Sequence, residues 1–293
     1  MKKSKKISTR LLKNFLKRYF VNSLYPYYLF LKTFKNFKKK TNAPKQYIKF
    51  SDNLDKINQN EFKQTSQNNE DGIIEHIFNI VPNNMHFVEI GFGYYEFNSM
   101  YLIKKGWNGK LIDIDNDEVI ALKKNLLHYY PNSRVTVINT KISKDNINEL
   151  TIEKSQNNWI DFFSLDIDSN DYWVLKSLDL SKVSVLCCEY NHWLGRERKL
   201  TIQYNEDFKF KDNGVWGASL LALTELLKSK EFSLIAVESS GTNAFYINNK
   251  YKDKFKILSP LKSFKTVGRF YNEKEKKSIF ENVKQSKLIV DLN

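Results

Sequence analysis

Two glycines flanked by carboxylates form the part of the chain best suited to bind a ligand. In the segment FVEIGFGYYEF, residues 87–97, Glu89 lies near the end of an apolar strand, and Gly91 and Gly93 follow it closely. Glycine has no Cβ, so the backbone can turn sharply there and approach a bound molecule. A second apolar stretch then ends in Asp113. A turn of this kind between a strand and a helix is typical of a nucleotide-cofactor site.

The charges near this turn indicate which nucleotide would bind. In the dinucleotide fingerprint a third glycine allows close helix packing, and the helix N-terminus binds the pyrophosphate. Here that third position is Glu96, whose carboxylate would face phosphate. Glu89 can instead accept from a cationic amine, and Asp113 from both ribose hydroxyls. We therefore expect S-adenosylmethionine rather than a dinucleotide. An ordinary glycine turn, with Glu89 capping the helix, is the alternative.

A second group of candidate residues follows two later strands. Asp166 lies at the tip of one predicted strand and Asp168 just beyond it, while Glu189 ends the next strand. Neighbouring strands are about 4.8 Å apart, so these carboxylates should be close together. Clustered like charges raise a carboxyl pKa toward neutrality, which suits a general base. Asp168, Glu189 and the cleft histidine His192 are the predicted catalytic residues.

Two other roles remain open for these residues. Oxygen atoms of Asp166, Glu189 and Asn191 could bind a divalent cation such as Mg²⁺, although we predict no metal. Alternatively, Asp168 and Asp171 could cap a helix and hold a loop. The chain has only 4 histidines, which disfavours a zinc site built on histidine.

The elements that would position these residues alternate between strands and helices. Strands are predicted at 87–89, 110–113, 135–138, 161–165 and 183–190, with helices at 71–80, 97–105, 117–129 and 171–178. Alternation of this kind predicts a parallel sheet with helices on both faces. A helix at 217–230 and a hairpin of strands at 232–237 and 244–247 follow. The polar loop 192–215 leaves a strand's carboxyl end, where ligands bind in open α/β sheets.

The net charge of the chain, +14, comes entirely from its first 46 residues. That segment contains fourteen Lys and Arg and no acidic residue, and the remaining 33 basic residues balance all 33 acidic ones. Apolar residues recur at helical spacing at 11–20 and again at 27–37, before Lys38, Lys39 and Lys40. We expect a basic amphipathic arm at 1–46, a linker at 47–67, a globular domain at 68–250 and a helical tail at 251–293, with a charged helix at 273–285.

The basic arm has three possible uses. A lysine-rich amphipathic segment suits an anionic membrane surface, to which each basic residue contributes about 1 kcal/mol. The other possibilities are a helical hairpin packed on the domain and nucleic-acid binding. The adjacent residues Cys187 and Cys188 would point to opposite faces of a strand, so no disulfide framework is expected. We predict a cytoplasmic protein, bound peripherally to the inner face of the membrane.

Several segments resemble the FkbM-like class I methyltransferases that use S-adenosylmethionine, in particular a bacterial branch often encoded among genes for surface polysaccharides. The resembling segments are SQNNEDGIIEHIF (66–78), FVEIGFGYYEFNS (87–99), GWNGKLIDID (106–115), DFFSLDIDSNDYW (161–173), EYN (189–191), WGASL (216–220) and SSGTNAFYI (239–247). The resemblance runs from about residue 64 to 250. It implies a Rossmann-like α/β fold, with a mostly parallel seven-stranded sheet that ends in an antiparallel hairpin.

The resemblance also implies roles for individual residues. It places Glu89, Gly91 and Gly93 against the methionine part of the cofactor, Asp113 on its ribose and Asp166 near the sulfonium. Gln67 and Glu70 would approach from the loop before the first helix of the domain.

For function, the resemblance implies methyl transfer to a sugar hydroxyl of a surface glycan or its precursor. The family's Asp and Gly after the first glycine are replaced by Tyr94 and Tyr95. A noncatalytic, membrane-associated glycan-assembly protein with the same fold is therefore one alternative. A nucleic-acid methyltransferase that uses the basic arm is the other.

Overall fold

A computed structural model of the chain describes residues 25–47, 57–93, 95–152, 159–266 and 271–293. Within these ranges the helices are α1 (Tyr25–Thr41), α2 (Glu70–Ile80), α3 (Met100–Lys104), α4 (Asn116–Tyr129), α5 (Ile147–Thr151), α6 (Asp171–Ser177), α7 (Leu220–Ser229), α8 (Pro260–Ser263) and α9 (Glu273–Gln285). The strands are β1 (Gln46–Tyr47), β2 (Phe62–Lys63), β3 (His86–Ile90), β4 (Asn108–Asp113), β5 (Val135–Asn139), β6 (Ile160–Leu165), β7 (Val183–Glu189), β8 (Leu200–Ile202), β9 (Phe232–Val237), β10 (Asn243–Asn248) and β11 (Ile289–Asp291).

Seven strands form the central sheet in the order β5-β4-β3-β6-β7-β10-β9. β5, β4, β3, β6 and β7 are parallel, and β10 is antiparallel to both of its neighbours, β7 and β9. This arrangement confirms the predicted Rossmann-like methyltransferase fold, including its antiparallel hairpin. Because five adjacent strands are parallel, their carboxyl ends meet at one edge, which we call the carboxyl edge.

Helices cover both faces of this sheet, and each face has its own apolar core. Residues of α5, α6 and α7 pack on one face, and residues of α2, α3 and α4 pack on the other. The two cysteines follow the same division, because Cys188 is buried in the first core and Cys187 in the second. The alternation of side chains along β7 explains this separation.

Several segments differ from their predicted form. α3 is shorter than the predicted helix 97–105, because the residues before Met100 belong to the glycine turn. Within the predicted linker, residues from 57 onward pack on the domain: Phe62 is buried, and the Asn58 side chain donates to the Val237 carbonyl oxygen at 2.9 Å. The predicted loop 192–215 contains β8, which pairs with β11 near the chain end. The predicted helix at 11–20 lies outside the described residues.

The second basic helix of the arm, α1, packs against the domain. Phe37 is fully buried, and its ring lies 5.4 Å from that of Tyr129 at the end of α4. Phe34 contacts Tyr129 and His128, with ring centres 5.3 and 5.0 Å away. No helix in the described part of the chain is both long enough and apolar enough to span a bilayer.

Candidate functional site

A cavity of about 470 Å³ opens at the carboxyl edge, beside the ends of β3, β4 and β6. This volume lies within the range of roughly 300–1,000 Å³ that is typical of small-molecule sites. The cavity's position is the one expected of a ligand site in an open parallel sheet. The glycine turn, Asp113 and the loop after Asp166 all contribute to its walls.

The glycine turn is required first by the packing of the protein's own backbone. Gly91 has a φ of +76°, and a Cβ added there would lie 1.5 Å from the carbonyl oxygen of Asp166. Gly91 therefore allows the ends of β3 and β6 to approach each other. At Gly93 an added Cβ would lie 3.0 Å from the Glu96 carbonyl oxygen. Both glycines line the cavity, and their contact with the cofactor stays a prediction; the atoms closest to Gly91 are those of the Asp166 backbone.

Glu89 caps the N-terminal end of α3. Its Oε1 accepts from the Asn98 amide at 2.9 Å, and its Oε2 accepts from the Ser99 amide at 2.7 Å and from the Ser99 hydroxyl. The side chain is only 2% exposed, and burial raises the pKa of Glu89 to about 7 against the opposing effect of these hydrogen bonds. The capping role that the sequence left open is therefore present. The cofactor contact stays a prediction, although Glu89 borders the cavity.

Asp113 lies at the end of β4 and faces the cavity. Its Oδ2 accepts from the Phe92 amide at 3.1 Å, which ties β4 to the glycine turn, and its Oδ1 accepts from the Asp115 amide at 2.6 Å. Each carboxylate oxygen can accept more than one hydrogen bond. Burial raises the pKa of Asp113. The residue is thus held rigidly, with acceptor capacity left for a ligand.

Asp166, Asp168 and Glu189 form an acidic cluster, as the sequence predicts. Each offers a carboxylate oxygen that lies within 4.8 Å of the others. Burial and then neighbouring carboxylates raise the pKa of Asp166 and of Glu189 well above the usual range. The pKa of Asp168 rises to about 6 because of burial and then the charge of Asp171. Asp168 also has a φ of +53°, a left-handed conformation that few residues other than glycine adopt.

The loop that carries Asp168 is held from behind by Asp171 and Asn170. Asp171 is buried at the start of α6, and its carboxylate accepts from the amides of Ile167 and Ser169 at 3.0 and 2.9 Å. Asn170 exchanges two hydrogen bonds with the backbone of Asn205, in the loop that follows β7. That loop contributes Phe208 and Phe210 to the cavity, so it bounds the site as predicted.

Some predicted residues lie elsewhere. His192 is buried rather than in the cleft, its ring centre lies 4.5 Å from that of Trp193 with the two planes tilted, and it does not line the cavity. Burial lowers its pKa to about 4, so its ring is neutral near pH 7. The Asn191 amide donates to the carbonyls of Gly214 and Trp216, which makes it structural. Glu70 is fully buried behind Asn243, whereas Gln67 does line the cavity.

Sequence reasoning missed Asn243, at the start of β10. It faces Glu189 across the antiparallel pair, lines the cavity and is only 4% exposed. Its Nδ2 donates to Glu70 at 2.8 Å, while its Oδ1 has no partner among the described residues. The signal available in the sequence was the SSGTNAFYI segment, because a polar residue at the start of a strand paired with β7 must lie at the carboxyl edge.

The cavity is strongly acidic. Its acidic lining residues are Glu89, Glu96, Asp113, Asp115, Glu118, Asp166, Asp168 and Glu206. Among the described residues that line the cavity, only Lys141 is basic. An anionic ligand such as a dinucleotide would therefore meet repulsion, and a cationic ligand would be attracted. Of the two tyrosines that replace the family's Asp and Gly, Tyr94 lies outside the described residues.

Comparison with known proteins gives similarities in structure only. No family model and no curated protein matches the chain. A S-adenosylmethionine-dependent methyltransferase from Clostridium acetobutylicum shares 12% identity, with 60% of this chain and 88% of that one covered, at a TM-score of 0.37. The N-terminal domain of EvdMO1, crystallised in the presence of S-adenosylhomocysteine and D-fucose, shares 9% identity. The match covers 74% of this chain and 95% of that one, at a TM-score of 0.41.

Magnesium protoporphyrin IX methyltransferase from Synechocystis, with bound S-adenosylmethionine, shares 10% identity. The match covers 80% of this chain and 96% of that one, at a TM-score of 0.36. Similarities of this size carry no inference about ligand or reaction. The chemistry of the site therefore has to come from the residues of this chain.

Proposed function

We propose that this protein transfers a methyl group from S-adenosylmethionine to a hydroxyl oxygen of a sugar, on a surface glycan or its precursor. The observation that carries the proposal is the acidic cavity at the carboxyl edge, with Asp113 at one end and the Asp166 loop at the other. S-Adenosylmethionine carries a sulfonium and an amine, both cationic, next to a ribose. This cavity suits such a molecule and disfavours phosphate.

The residues present fit this cofactor. Asp113 has acceptor capacity for the two ribose hydroxyls, and Ile114 and Ile142 supply apolar surface beside it for the base. Asp166 lies at the opposite end, where its carboxylate would stabilise the sulfonium. The bound cofactor would supply an electrophilic methyl group.

Among the predicted catalytic residues, Asp168 is the best placed to accept the proton of the hydroxyl. It lines the cavity, and its pKa of about 6 leaves it mostly ionised near pH 7. Glu189 lies next to Asp166, and burial followed by the charge of Asp166 raises the pKa of Glu189 well above the usual range, so Glu189 ionises less readily than Asp168. His192 lies outside the cavity. Most of the acceleration would come from aligning the hydroxyl with the methyl group.

The choice of a sugar as acceptor follows from the sequence resemblance to the FkbM-like branch. Phe208 and Phe210, from the loop after β7, line the cavity, and Phe210 is 40% exposed. Aromatic rings at this mouth provide an apolar surface on which the ring of a sugar can pack. The acidic residues beside them offer acceptors for its hydroxyl groups.

Isothermal titration with S-adenosylmethionine and S-adenosylhomocysteine tests the cofactor. We expect binding to the wild type and a loss of about tenfold or more for Asp113→Ala, since hydrogen bonds to charged groups contribute about 1.5–3 kcal/mol each. Asp145→Ala, an exposed acidic residue outside the cavity, is the matched control. No heat of binding to the wild type, or an unchanged affinity of Asp113→Ala, would contradict the proposal.

We further propose that the basic arm holds the protein at the inner, anionic surface of the membrane. Lys38 and Lys39 of α1 are exposed, whereas Phe37 is buried against the domain. The test should therefore remove residues 1–24 and leave α1 intact. We expect the truncated chain to sediment less with anionic vesicles and to remain folded. Equal sedimentation of both chains would exclude an attachment through residues 1–24, and binding to duplex DNA instead would favour the nucleic-acid alternative.

A further inference from the structure

We propose that Asp166, Asp168 and Glu189 form the binding site of one hard divalent cation of the Mg²⁺ type, with the Asn243 carbonyl oxygen as an additional ligand. The three carboxylates meet at the ends of two adjacent parallel strands, β6 and β7, and Asn243 lies on the next strand, β10. The site does not depend on the identity of the methyl donor or acceptor.

The spacing of the oxygens matches a shared ion. One oxygen from each of the three carboxylates lies within 4.8 Å of the other two. In an octahedral Mg²⁺ shell with bonds of about 2.1 Å, neighbouring oxygens are about 3.0 Å apart and opposite ones about 4.2 Å apart. Small side-chain rotations would therefore bring the three oxygens onto one ion, and no movement of the sheet is required.

Asn243 provides an independent indication of a missing partner. Its side chain is only 4% exposed, and the Oδ1 atom has no hydrogen-bond partner among the described residues. The orientation of the amide is fixed by chemistry, because Nδ2 donates to the Glu70 carboxylate, which can only accept while ionised. Oδ1 is therefore the free atom. A buried acceptor without a partner costs about 1–3 kcal/mol, unless a ligand satisfies it.

This acceptor lies on the same face of the sheet as the acidic cluster. Asn243 and Glu189 are directly opposite in the antiparallel β10–β7 pair, so their side chains share one face of the sheet. Asn243 also lines the same cavity as Asp166 and Asp168. An amide oxygen and carboxylates that converge on one cavity are the ligand types that Mg²⁺ and Mn²⁺ prefer.

The charge of the cluster is uncompensated within the protein. In the part of the chain that the structure describes, no Lys or Arg forms an ion pair with Asp166, Asp168 or Glu189. Asp171 adds a buried carboxylate behind these three half-buried ones. Buried charges in proteins are normally paired or bound to a metal. Zinc is disfavoured, because zinc sites normally include cysteine or histidine and this group of described residues contains carboxylates only.

The ion would be open to the cavity on one side. Asp166, Asp168 and Asn243 all line it, so the coordination positions that the protein leaves free face the same space as the proposed methyl acceptor. Insofar as the proposed methyl transfer is correct, a hydroxyl oxygen of the acceptor could occupy one of these positions. Binding of the cation itself can be measured without any cofactor.

Titration of the full chain with Mn²⁺, followed by electron paramagnetic resonance, tests the site directly. The protein is first treated with EDTA and desalted, and no S-adenosylmethionine is added. We expect one Mn²⁺ per chain, displaced by excess Mg²⁺. Asp168→Asn and Glu189→Gln should each weaken binding by about tenfold or more, and Asn243→Ala by a smaller factor. Glu225→Gln replaces an exposed acidic residue on α7, outside the cavity, and should leave Mn²⁺ affinity unchanged.

Each result has a defined meaning. The carboxamide variants keep the shape of the side chain and remove charge, so circular dichroism should show them folded. Absence of Mn²⁺ binding by the wild type at millimolar concentration would overturn the proposal. Equal affinity in wild type, Asp168→Asn and Glu189→Gln would do the same, since the ion would then bind elsewhere. Titration with S-adenosylhomocysteine in EDTA separates this result from failure of the proposed methyltransferase activity.

Discussion

The carboxyl edge of the sheet and helix α1 hold their charged residues in opposite ways. At the edge, buried carboxylates accept from backbone amides: Glu89 from Asn98 and Ser99, and Asp171 from Ile167 and Ser169. On α1 the lysines project from a helix that is attached to the domain by side chains. Backbone geometry therefore shapes the edge, whereas side-chain contacts attach the helix.

The difference reflects the cost of removing each charge from water. A buried carboxylate must be compensated by hydrogen bonds, so its position depends on the path of the chain around it. Long lysine side chains can keep their ammonium groups in water while the helix packs through its aromatic face. Substitutions at the edge should consequently disturb the fold of the domain, and substitutions on α1 should release a single helix.

The largest expected effect is at Gly91. Gly91→Ala places a Cβ 1.5 Å from the Asp166 carbonyl oxygen at a φ of +76°, so the ends of β3 and β6 must separate. We expect a loss of about 4 kcal/mol or more in unfolding free energy. Gly195 has nearly the same φ, +74°, with no atom within 4 Å of an added Cβ. Gly195→Ala should lose only about 1–2 kcal/mol, the cost of the left-handed conformation. Urea denaturation of both variants measures the difference in unfolding free energy. Equal losses would show that the left-handed φ, and not the close contact with Asp166, causes the destabilisation of Gly91→Ala.

A smaller and more local effect is expected at Phe37. Phe37 is fully buried between α1 and the domain, and truncation of a buried Phe loses about 3–5 kcal/mol of packing. We expect Phe37→Ala to release α1 while the central sheet stays folded. Hydrogen exchange should then speed up in α1 and remain slow in β6 and β7. Leu31→Ala removes a side chain that is 48% exposed and serves as the control. Loss of protection throughout the sheet would mean that α1 is part of the same cooperative unit.

Parts of both regions could be predicted from sequence and parts could not. The strand period and the position of carboxylates after strands located Asp113, Asp166, Asp168 and Glu189 correctly, because parallel strands bring their ends to one edge. His192 was placed in the cleft because it follows β7, but the side-chain direction in a loop has no periodic signal. Asn243, far along the chain, reaches the site through sheet order alone.

The linker prediction shows a second limit. Residues 57–67 contain few apolar side chains, so no periodic pattern marks them. Their attachment instead uses single buried residues such as Ile57 and Phe62 and side-chain hydrogen bonds to distant backbone. Pairing of β8 with β11 joins Leu200 to Asp291, which lie 91 positions apart in the chain (291 − 200). Contacts of this kind depend on the finished fold and leave no local pattern.

Stability should depend on pH through the buried acids of the edge. Burial raises the pKa of Glu89 and of Glu238 to about 7, while an unfolded chain would release the same protons near the ordinary glutamate pKa of 4.5. Between these values the unfolded state binds fewer protons, so stability is highest at low pH and falls as pH rises. The slope is at most about 1.4 kcal/mol per pH unit for each group. Urea denaturation at pH 5 and pH 8 measures it, and a rise in stability over that interval would contradict the assignment.

Glu238→Gln isolates one of the two contributions. The carboxamide cannot ionise, so the variant should lose less stability between pH 5 and pH 8 than the wild type does. We expect it to be less stable than the wild type at both pH values, because Glu238 accepts from the amides of Ser240 and Thr242 and Gln offers a single acceptor oxygen. Glu225→Gln replaces an exposed acid on α7 and should keep the wild-type slope. Equal slopes in all three proteins would assign the pH dependence to other groups.

The smallest expected effect is at the ion pair that joins the two regions. Lys40 of α1 lies 2.5 Å from Glu96 of the cavity wall, and the two side chains are 16% and 29% exposed. Partly exposed pairs contribute about 0.2–1 kcal/mol, because water screens the attraction and ordering the side chains opposes it. A double-mutant cycle with Lys40→Met and Glu96→Gln, read by urea denaturation, should give a coupling in that range. Lys63 lies 3.8 Å from the same carboxylate and can replace part of the interaction, which lowers the expected value. A coupling of several kcal/mol would show that charge, in addition to Phe37, attaches α1 to the edge.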